Sequence, residues 1–226
     1  QATPRAAVGG GAAITPAAVM SPHDRGASAQ RGAARYKQKK KVKTKDGDES
    51  TVYVYSEGQL AHRHREKAKR IEGLRSCIGE LRTQVHRDLT AKDPKKRLTA
   101  LAVSLIDKTC ERVGNEGSAE EGHYGVTGWL KKHLTFKGGT AVLRYVGKSG
   151  VKHVKEVDHA ATVKALRDAA EGKGAEDPLF DDGEVCVRAS DVNEYLKPFD
   201  VTAKDIRGFR ANTEMLRALK AQRADG

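Results

Sequence analysis

Two short runs of alternating apolar and polar residues flank a glycine-rich turn, and they constrain the fold more than any other part of the chain. The runs are AVLRYVG, which ends at Gly147, and VKHVKEV, which begins at Val151. Alternation with a period of two is typical of half-buried strands, and a short glycine turn between two such runs predicts an antiparallel hairpin. The preceding run KKHLTFKGG extends the pattern. We therefore expect a small antiparallel sheet with Lys148 at a hairpin tip.

The Gly-Lys-Ser sequence of this turn is not a nucleotide-binding phosphate loop. That motif requires another glycine five residues before Gly147, where the chain has Val142. It must also open a helix, whereas the residues on both sides of this turn alternate as strands do. The phosphate-loop interpretation is therefore excluded, and no cofactor is expected.

Helical periodicity dominates the rest of the chain. The clearest helix has Asp93 as its N-terminal cap and Pro94 at its first helical position, and it is expected to end near Gly114. Residues 56–88 predict a helix that Gly73 and Gly79 interrupt. Three further helices are predicted at residues 158–171, 190–196 and 202–220. The fold class is therefore α+β, a mainly helical domain with a small antiparallel sheet.

Positive charge is concentrated in the first half of the chain. Residues 1–35 hold four arginines and one acid, and we interpret them as a disordered or targeting tail. Residues 36–97 hold 18 basic and 9 acidic residues, whereas residues 98–226 hold 20 of each. Residues 36–92 therefore predict a basic segment that clamps duplex DNA through its phosphates, with a solvated lysine-rich arm as the alternative. It begins with a hairpin around Asp46-Gly47 whose first strand carries the predicted DNA contacts Lys39, Lys40 and Lys41.

The three cysteines are odd in number and widely spaced, without a Cys-x-x-Cys pair. Neither a disulfide framework nor a zinc site is indicated, so we expect a reducing, intracellular compartment and no metal. No stretch approaches the roughly 20 apolar residues of a membrane span, and no membrane partner is expected.

Four stretches occur in a fixed order that carries a family resemblance. They are ERVGNEG, HYGVTGWLKKH, YVGKSGVKH and VTAKDIRGFRAN. Together they resemble the catalytic domain of type IB DNA topoisomerases, which is related in fold to tyrosine recombinases, over about residues 94–217. Residues 93–226 would then be part of such a catalytic domain. The resemblance implies relaxation of supercoiled DNA through a transient 3′-phosphotyrosyl bond, and a location on DNA in a nucleus, nucleoid or organelle.

The resemblance assigns three catalytic residues. Arg112 and Arg207 would hydrogen-bond the nonbridging oxygens of the scissile phosphate, and Lys148 would be the general acid. The chemistry agrees, because a guanidinium is permanently charged and can hold two phosphate oxygens at once. A leaving 5′-oxygen needs a proton, which lysine can release and arginine practically cannot.

Other residues receive supporting roles from the resemblance. Tyr124 and Lys204 would contact DNA, although Lys204 could equally be a solvated helix lysine. Asn115 and Glu116 would brace the Arg112 loop by hydrogen bonds, although a helix cap would look the same in the sequence.

Three large side chains receive structural interpretations. His133 and His153 are expected to lie in strands as surface or core residues. Trp129 is expected to be a core or hinge anchor rather than a platform on which bases stack.

The sequence departs from the family pattern after the second arginine. The family places a histidine and the tyrosine nucleophile downstream, whereas the last histidine here is His159 and the last tyrosine is Tyr195. Three hypotheses follow: a piece of an ordinary enzyme without its C-terminal end, a split enzyme whose tyrosine lies on a second chain, or a catalytically inactive DNA-binding or structural protein that keeps the fold.

Overall fold

The computed structural model of the chain describes residues 38–43 and 49–224. It divides into two units, the smaller ending at Tyr53 and the larger beginning at Val54. The predicted tail of residues 1–35 and the predicted turn at Asp46 and Gly47 lie outside the described residues. Within the described ranges, no helix is both long enough and apolar enough to span a membrane.

The smaller unit contains one two-stranded antiparallel sheet. Its strands are β1 (Gln38–Lys43) and β2 (Glu49–Val54), which confirms the two extended runs. Lys40 and Lys41 are exposed, and Lys41 Nζ lies 2.8 Å from a carboxylate oxygen of Glu49. Contact of Lys39, Lys40 and Lys41 with DNA, and the role of residues 36–92 as a clamp, stay predictions.

The larger unit begins with a long helix, α1 (Glu57–Asp88), which a capping box starts. The Ser56 hydroxyl accepts the Gln59 N–H, and the Gln59 side chain accepts the Ser56 N–H at 2.8 Å. The predicted interruption of this helix is wrong, because α1 continues through both of its central glycines. Each glycine costs about 1 kcal/mol. The second half of the helix offsets that cost by burying an apolar seam of Leu74, Ile78, Leu81 and Val85.

Helix α2 (Pro94–Thr109) begins as predicted, with the Asp93 carboxylate accepting the Lys95 N–H at 3.0 Å. It ends at Thr109, so the predicted end near Gly114 is wrong. Cys110 has a left-handed backbone with a φ of 58° and terminates the helix there. A short helix, α3 (Glu116–Glu120), follows.

The predicted sheet is confirmed, with strands β3 (Leu134–Lys137), β4 (Thr140–Val146) and β5 (Lys152–Val157) in the order β3-β4-β5. Both pairings are antiparallel, and Tyr145 of β4 lies opposite His153 of β5. His153 is therefore in a strand as expected. His133 is not, because it ends a short 3-10 turn at Lys131–His133, where its Nδ1 accepts the Leu130 N–H at 3.1 Å. That local bond holds the backbone in the turn just before β3 begins.

The three remaining predicted helices are confirmed as α4 (Ala160–Ala170), α5 (Ala189–Leu196) and α6 (Ala203–Ala224). Trp129 is fully buried in the core, as predicted, and packs 5.0 Å from the Tyr145 ring. The Asp205 carboxylate accepts both the N–H and the hydroxyl of Thr202, which fixes the start of α6. The described chain is thus mostly helical with small antiparallel sheets, as the sequence predicts.

Candidate functional site

Three cationic residues that the sequence singles out come from three separate elements. Arg112 follows the end of α2, Lys148 occupies the turn between β4 and β5, and Arg207 lies near the start of α6. Arg112 and Lys148 are exposed and line one cavity of about 360 Å³. Arg207 Nε donates to the Cys110 carbonyl at 2.7 Å. The Arg207 guanidinium therefore lies against the backbone that leads directly into Arg112.

Backbone hydrogen bonds fix the segment that carries Arg112. The Val126 N–H donates to the Arg112 carbonyl at 2.9 Å. The Thr127 N–H and hydroxyl both donate to the Val113 carbonyl, at 2.8 and 2.9 Å. Residues 112–114 are thus held along residues 125–127, and the Arg112 side chain projects from a braced backbone rather than from a free loop.

The Tyr124-Gly125 pair joins the Arg112 segment to the hairpin that carries Lys148. Gly125 packs directly on the backbone of Gly114, while the Tyr124 N–H donates to the carbonyl of Val146 at 2.8 Å. Val146 is the last residue of β4, two residues before Lys148. One short segment therefore sets the distance between Arg112 and Lys148.

Gly125→Ala is expected to lower the free energy of unfolding by about 3 kcal/mol. A Cβ at this position would lie 2.4 Å from Gly114 Cα, 2.5 Å from Gly114 N and 2.8 Å from the Arg112 carbonyl oxygen. These are backbone atoms, which cannot rotate aside as a flexible side chain can. Chemical denaturation monitored by circular dichroism measures the change.

Gly73→Ala is the control for that substitution. No atom lies within 4 Å of a Cβ at Gly73, which is inside α1. Alanine there should raise the free energy of unfolding by about 1 kcal/mol, because alanine is the better helix former. Equal, small effects at the two positions would contradict the close packing at Gly125.

The turn that carries Lys148 is held by a backbone hydrogen bond and packs on the His153 ring. The Gly147 N–H donates to the Val151 carbonyl at 2.7 Å, and Ser149 and Gly150 have left-handed backbones with φ of 64° and 73°. A Cβ at Gly147 would lie 2.7 Å from the His153 ring, so any larger residue here would have to displace that ring. The His153 ring in turn stacks on Tyr145, with centroids 5.3 Å apart.

Glu111 is a residue of this site that the sequence analysis missed. It is only 8% exposed, and one carboxylate oxygen lies 3.0 Å from Lys155 Nζ and 3.5 Å from His153 Nδ1. Burial alone would raise the pKa of Glu111, but Lys155, Tyr145 and His153 outweigh burial and lower that pKa. Glu111 is thus an ionised carboxylate. Because it directly precedes Arg112, its contacts hold this part of the chain against β5. No spacing signal could reveal it, because its partners lie on a distant strand.

The cations at this site are crowded and incompletely neutralised. Burial lowers the pKa of Arg207, and the positive charge of Arg112 lowers it further, while Glu111 acts in the opposite direction. Glu111 is already engaged with Lys155 and His153. An anion with several oxygens, such as a phosphodiester, would relieve this repulsion.

Asn115 and Glu116 make local contacts. The Asn115 side chain accepts the Ser118 N–H at 2.9 Å and caps α3. Glu116 lies 2.8 Å from the guanidinium of Arg188. Both contacts position residues that follow Arg112. The predicted hydrogen bonds by which Asn115 and Glu116 would brace the Arg112 loop stay a prediction.

Tyr124 and Lys204 differ in their surroundings. Tyr124 is partly buried, packs against the His133 ring at 4.4 Å and lines the same cavity as Arg112. Lys204 is exposed on the first turn of α6, three residues before Arg207. The predicted contacts of both residues with DNA stay predictions.

Comparison with known proteins gives a family match over most of the chain. The family described as the catalytic core of eukaryotic DNA topoisomerase I matches residues 56–226. The chain is 30% identical over 173 residues to DNA topoisomerase 1 alpha of Arabidopsis thaliana, which covers 72% of this chain and 18% of that protein. It is 29% identical over 160 residues to DNA topoisomerase 1 of Homo sapiens, which covers 65% and 20% respectively. It is 27% identical over 184 residues to DNA topoisomerase 1B of Acanthamoeba polyphaga mimivirus, which covers 75% of this chain and 54% of that protein. The chain spans about a fifth of the length of the plant and human relatives that it matches.

Proposed function

The chain belongs to the type IB DNA topoisomerase family, in which it matches the catalytic core, and we propose that it supplies the phosphate-binding part of an enzyme that relaxes supercoiled DNA. In the proposed reaction a tyrosine hydroxyl attacks a backbone phosphorus, a 3′-phosphotyrosyl bond forms and the 5′-oxygen leaves. The reverse reaction rejoins the strand after rotation. The observation that carries the proposal is that Arg112 shares a cavity with Lys148 while Arg207 contacts the backbone just before Arg112, although the three residues come from distant parts of the chain.

The two arginines would stabilise the charge of the five-coordinate phosphorus in the transition state. Arg207 is oriented through its Nε, which leaves its two terminal nitrogens to hold phosphate oxygens. Arg112 projects from a braced backbone on the neighbouring segment. Such fixed donors stabilise developing charge without having to reorganise when the reaction occurs. They would also do the work that a metal ion does in other phosphoryl-transfer enzymes.

Lys148 would donate the proton to the departing 5′-oxygen. Its position at an exposed hairpin tip allows the ammonium group to reach DNA, and the packing of Gly147 on His153 restricts movement of that tip. Lys148 and Arg112 line the same cavity, which supports the assignment of a proton donor and a phosphate ligand to one site. A general acid must come within hydrogen-bonding distance of the atom that it protonates. A lysine at an exposed hairpin tip beside Arg112 could approach the 5′-oxygen of a bound phosphate in this way.

The nucleophile in this proposal comes from outside the 226 residues, because no tyrosine follows Tyr195 and no histidine follows His159. The histidine that binds phosphate in the family would come from the same source. That source would be a downstream segment or a second chain.

Relaxation of supercoiled plasmid tests the proposal. The 226 residues alone are expected to leave the plasmid supercoiled, because they lack the nucleophile. Joining them to the segment of a relative that carries the downstream histidine and tyrosine should restore relaxation, without ATP and in the presence of EDTA. Agarose gels measure the topoisomers, and the same fusion with phenylalanine in place of the added tyrosine is the control. Binding of DNA without relaxation by any such fusion would favour the alternative, a DNA-binding protein that does not cleave.

A further inference from the structure

Helix α1 changes character along a single face. In its second half this face buries the apolar seam of Leu74, Ile78, Leu81 and Val85. Continued toward the N-terminus at the same spacing of three and four residues, it carries Arg63, Lys67 and Arg70, and all three are exposed. We refer to Arg63, Lys67 and Arg70 as the α1 basic face.

The α1 basic face leads to the start of α6. Arg70 Nε lies 3.3 Å from the carboxylate of Asp205, which is buried in the first turn of α6. Lys67 lies next to Gly208, where a Cβ would be 3.8 Å from Lys67 Cε. Arg207 sits between these two contact points in the sequence. The basic face therefore adjoins the first two turns of α6, the helix that carries Arg207.

The basic residues of α1 differ in whether an acidic side chain neutralises them. Away from the basic face, Lys69 pairs with Glu66 at 3.1 Å and Arg75 pairs with Glu72 at 3.5 Å. On the basic face the Arg63 guanidinium instead lies 4.2 Å from the centre of the Tyr55 ring. Within the described residues, neither Arg63 nor Lys67 has an acidic partner. Arg63 and Lys67 therefore keep a positive charge that no acidic side chain among the described residues offsets, whereas Arg70 is paired with Asp205.

We infer that the α1 basic face binds the phosphate backbone of the duplex beside the scissile phosphate. This inference rests on the proposed function and adds the surface that would seat the flanking DNA. Arg63 and Arg70 are seven residues apart, or roughly 10 Å along the helix, which is long enough to follow two or three phosphates of one strand. Such contacts position the duplex without reading its sequence.

The test compares two double variants of the 226-residue chain in filter binding to duplex DNA of random sequence. One variant is Arg63→Gln with Lys67→Gln, and the control is Arg65→Gln with Lys69→Gln. Arg65 and Lys69 are each two residues further along α1, about 200° around the helix, so the control removes the same charge from the opposite side. Arg70 is left unchanged because it neutralises the buried Asp205.

The basic-face variant should reduce the slope of log K against log salt by about 1.8, which is about 0.9 for each lost phosphate contact. If all proteins bind equally at 1 M salt, this slope corresponds to a roughly 60-fold weaker affinity at 0.1 M. The control should keep the parent slope. Equal losses in both variants would show a general effect of net charge and overturn the inference, and so would no loss in either.

Failure of the inference and failure of the proposed function are distinguishable in the same titration. A parent chain that binds DNA with a steep salt dependence, together with an unaffected basic-face variant, overturns the inference alone. A parent chain whose affinity does not depend on salt overturns the proposed binding of DNA phosphates. Circular dichroism of each variant checks that these exposed substitutions leave the helix folded.

Discussion

Replacing Lys148 with alanine is expected to slow strand cleavage by about 10²–10⁴-fold in the protein that has been joined to a tyrosine-bearing segment of a relative. The variant should cleave a substrate with a 5′-bridging sulfur at nearly the parent rate. The reason is that a 5′-oxygen needs a proton in order to leave, whereas a thiolate departs without one. Single-turnover cleavage of two oligonucleotides that differ only in the bridging atom measures both rates.

Lys152→Ala is the matched control for Lys148→Ala. Lys152 is exposed at the start of β5, on the other side of the same turn, so its loss removes an equal charge from the hairpin. It should affect neither rate strongly. If Lys148→Ala slows cleavage of both substrates equally, Lys148 binds or orients DNA and is not the proton donor.

Features with local signals could be predicted from the sequence. These features include the cap at Asp93, the alternation of the strands around Gly147 and helix α4. Each depends on residues within a few positions of each other. Arg112, Lys148 and Arg207 can be identified from the sequence because each lies in a short motif and the motifs follow one another in the order typical of the family. Their approach to one another was an expectation from the resemblance, and only the fold brings Arg207 against the residues before Arg112.

The errors in the fold prediction have tertiary causes. Helix α2 ends at Thr109, where the backbone of Cys110 is left-handed and the Cys110 carbonyl accepts from Arg207, which lies 97 residues away. Helix α1 runs through Gly73 because its seam is buried against other helices. Neither contact has a signature in the local sequence, and burial of the α1 seam offsets a glycine cost of about 1 kcal/mol.

The supporting part of the site was less visible in the sequence than the cations. Glu111 holds Lys155 and His153 of β5, and Thr127 fixes the backbone of Val113. The Tyr124-Gly125 pair could be recognised as a motif. Its physical reason, the packing of Gly125 on a second backbone segment, could not be seen without the fold.

Arg207→Ala is expected to slow cleavage of the oxygen and the sulfur substrates by a similar factor, about 10²–10³-fold, in the same fusion protein. Charge on the nonbridging phosphate oxygens develops whichever atom leaves, so the loss should not depend on the bridging atom. Arg207→Lys should recover only part of the rate, because an ammonium keeps the charge but cannot hold two oxygens with one planar group. This result, opposite in its substrate dependence to that of Lys148→Ala, would separate phosphate stabilisation from proton donation.

A structural contribution of Arg207 has to be separated from its proposed catalytic role, since its Nε bond to Cys110 also joins α6 to the end of α2. Arg217→Ala is the control on the same helix, because Arg217 is exposed and its nearest acidic partner is Glu214 at 3.8 Å. The free energy of unfolding of each variant, measured in urea, shows whether Arg207→Ala remains folded under the assay conditions. A rate loss confined to the oxygen substrate would show that Arg207 assists protonation of the leaving oxygen through the proton donor and does not stabilise charge on the nonbridging oxygens. A loss that disappears when only the folded fraction is counted would leave Arg207 as a residue that holds two helices together.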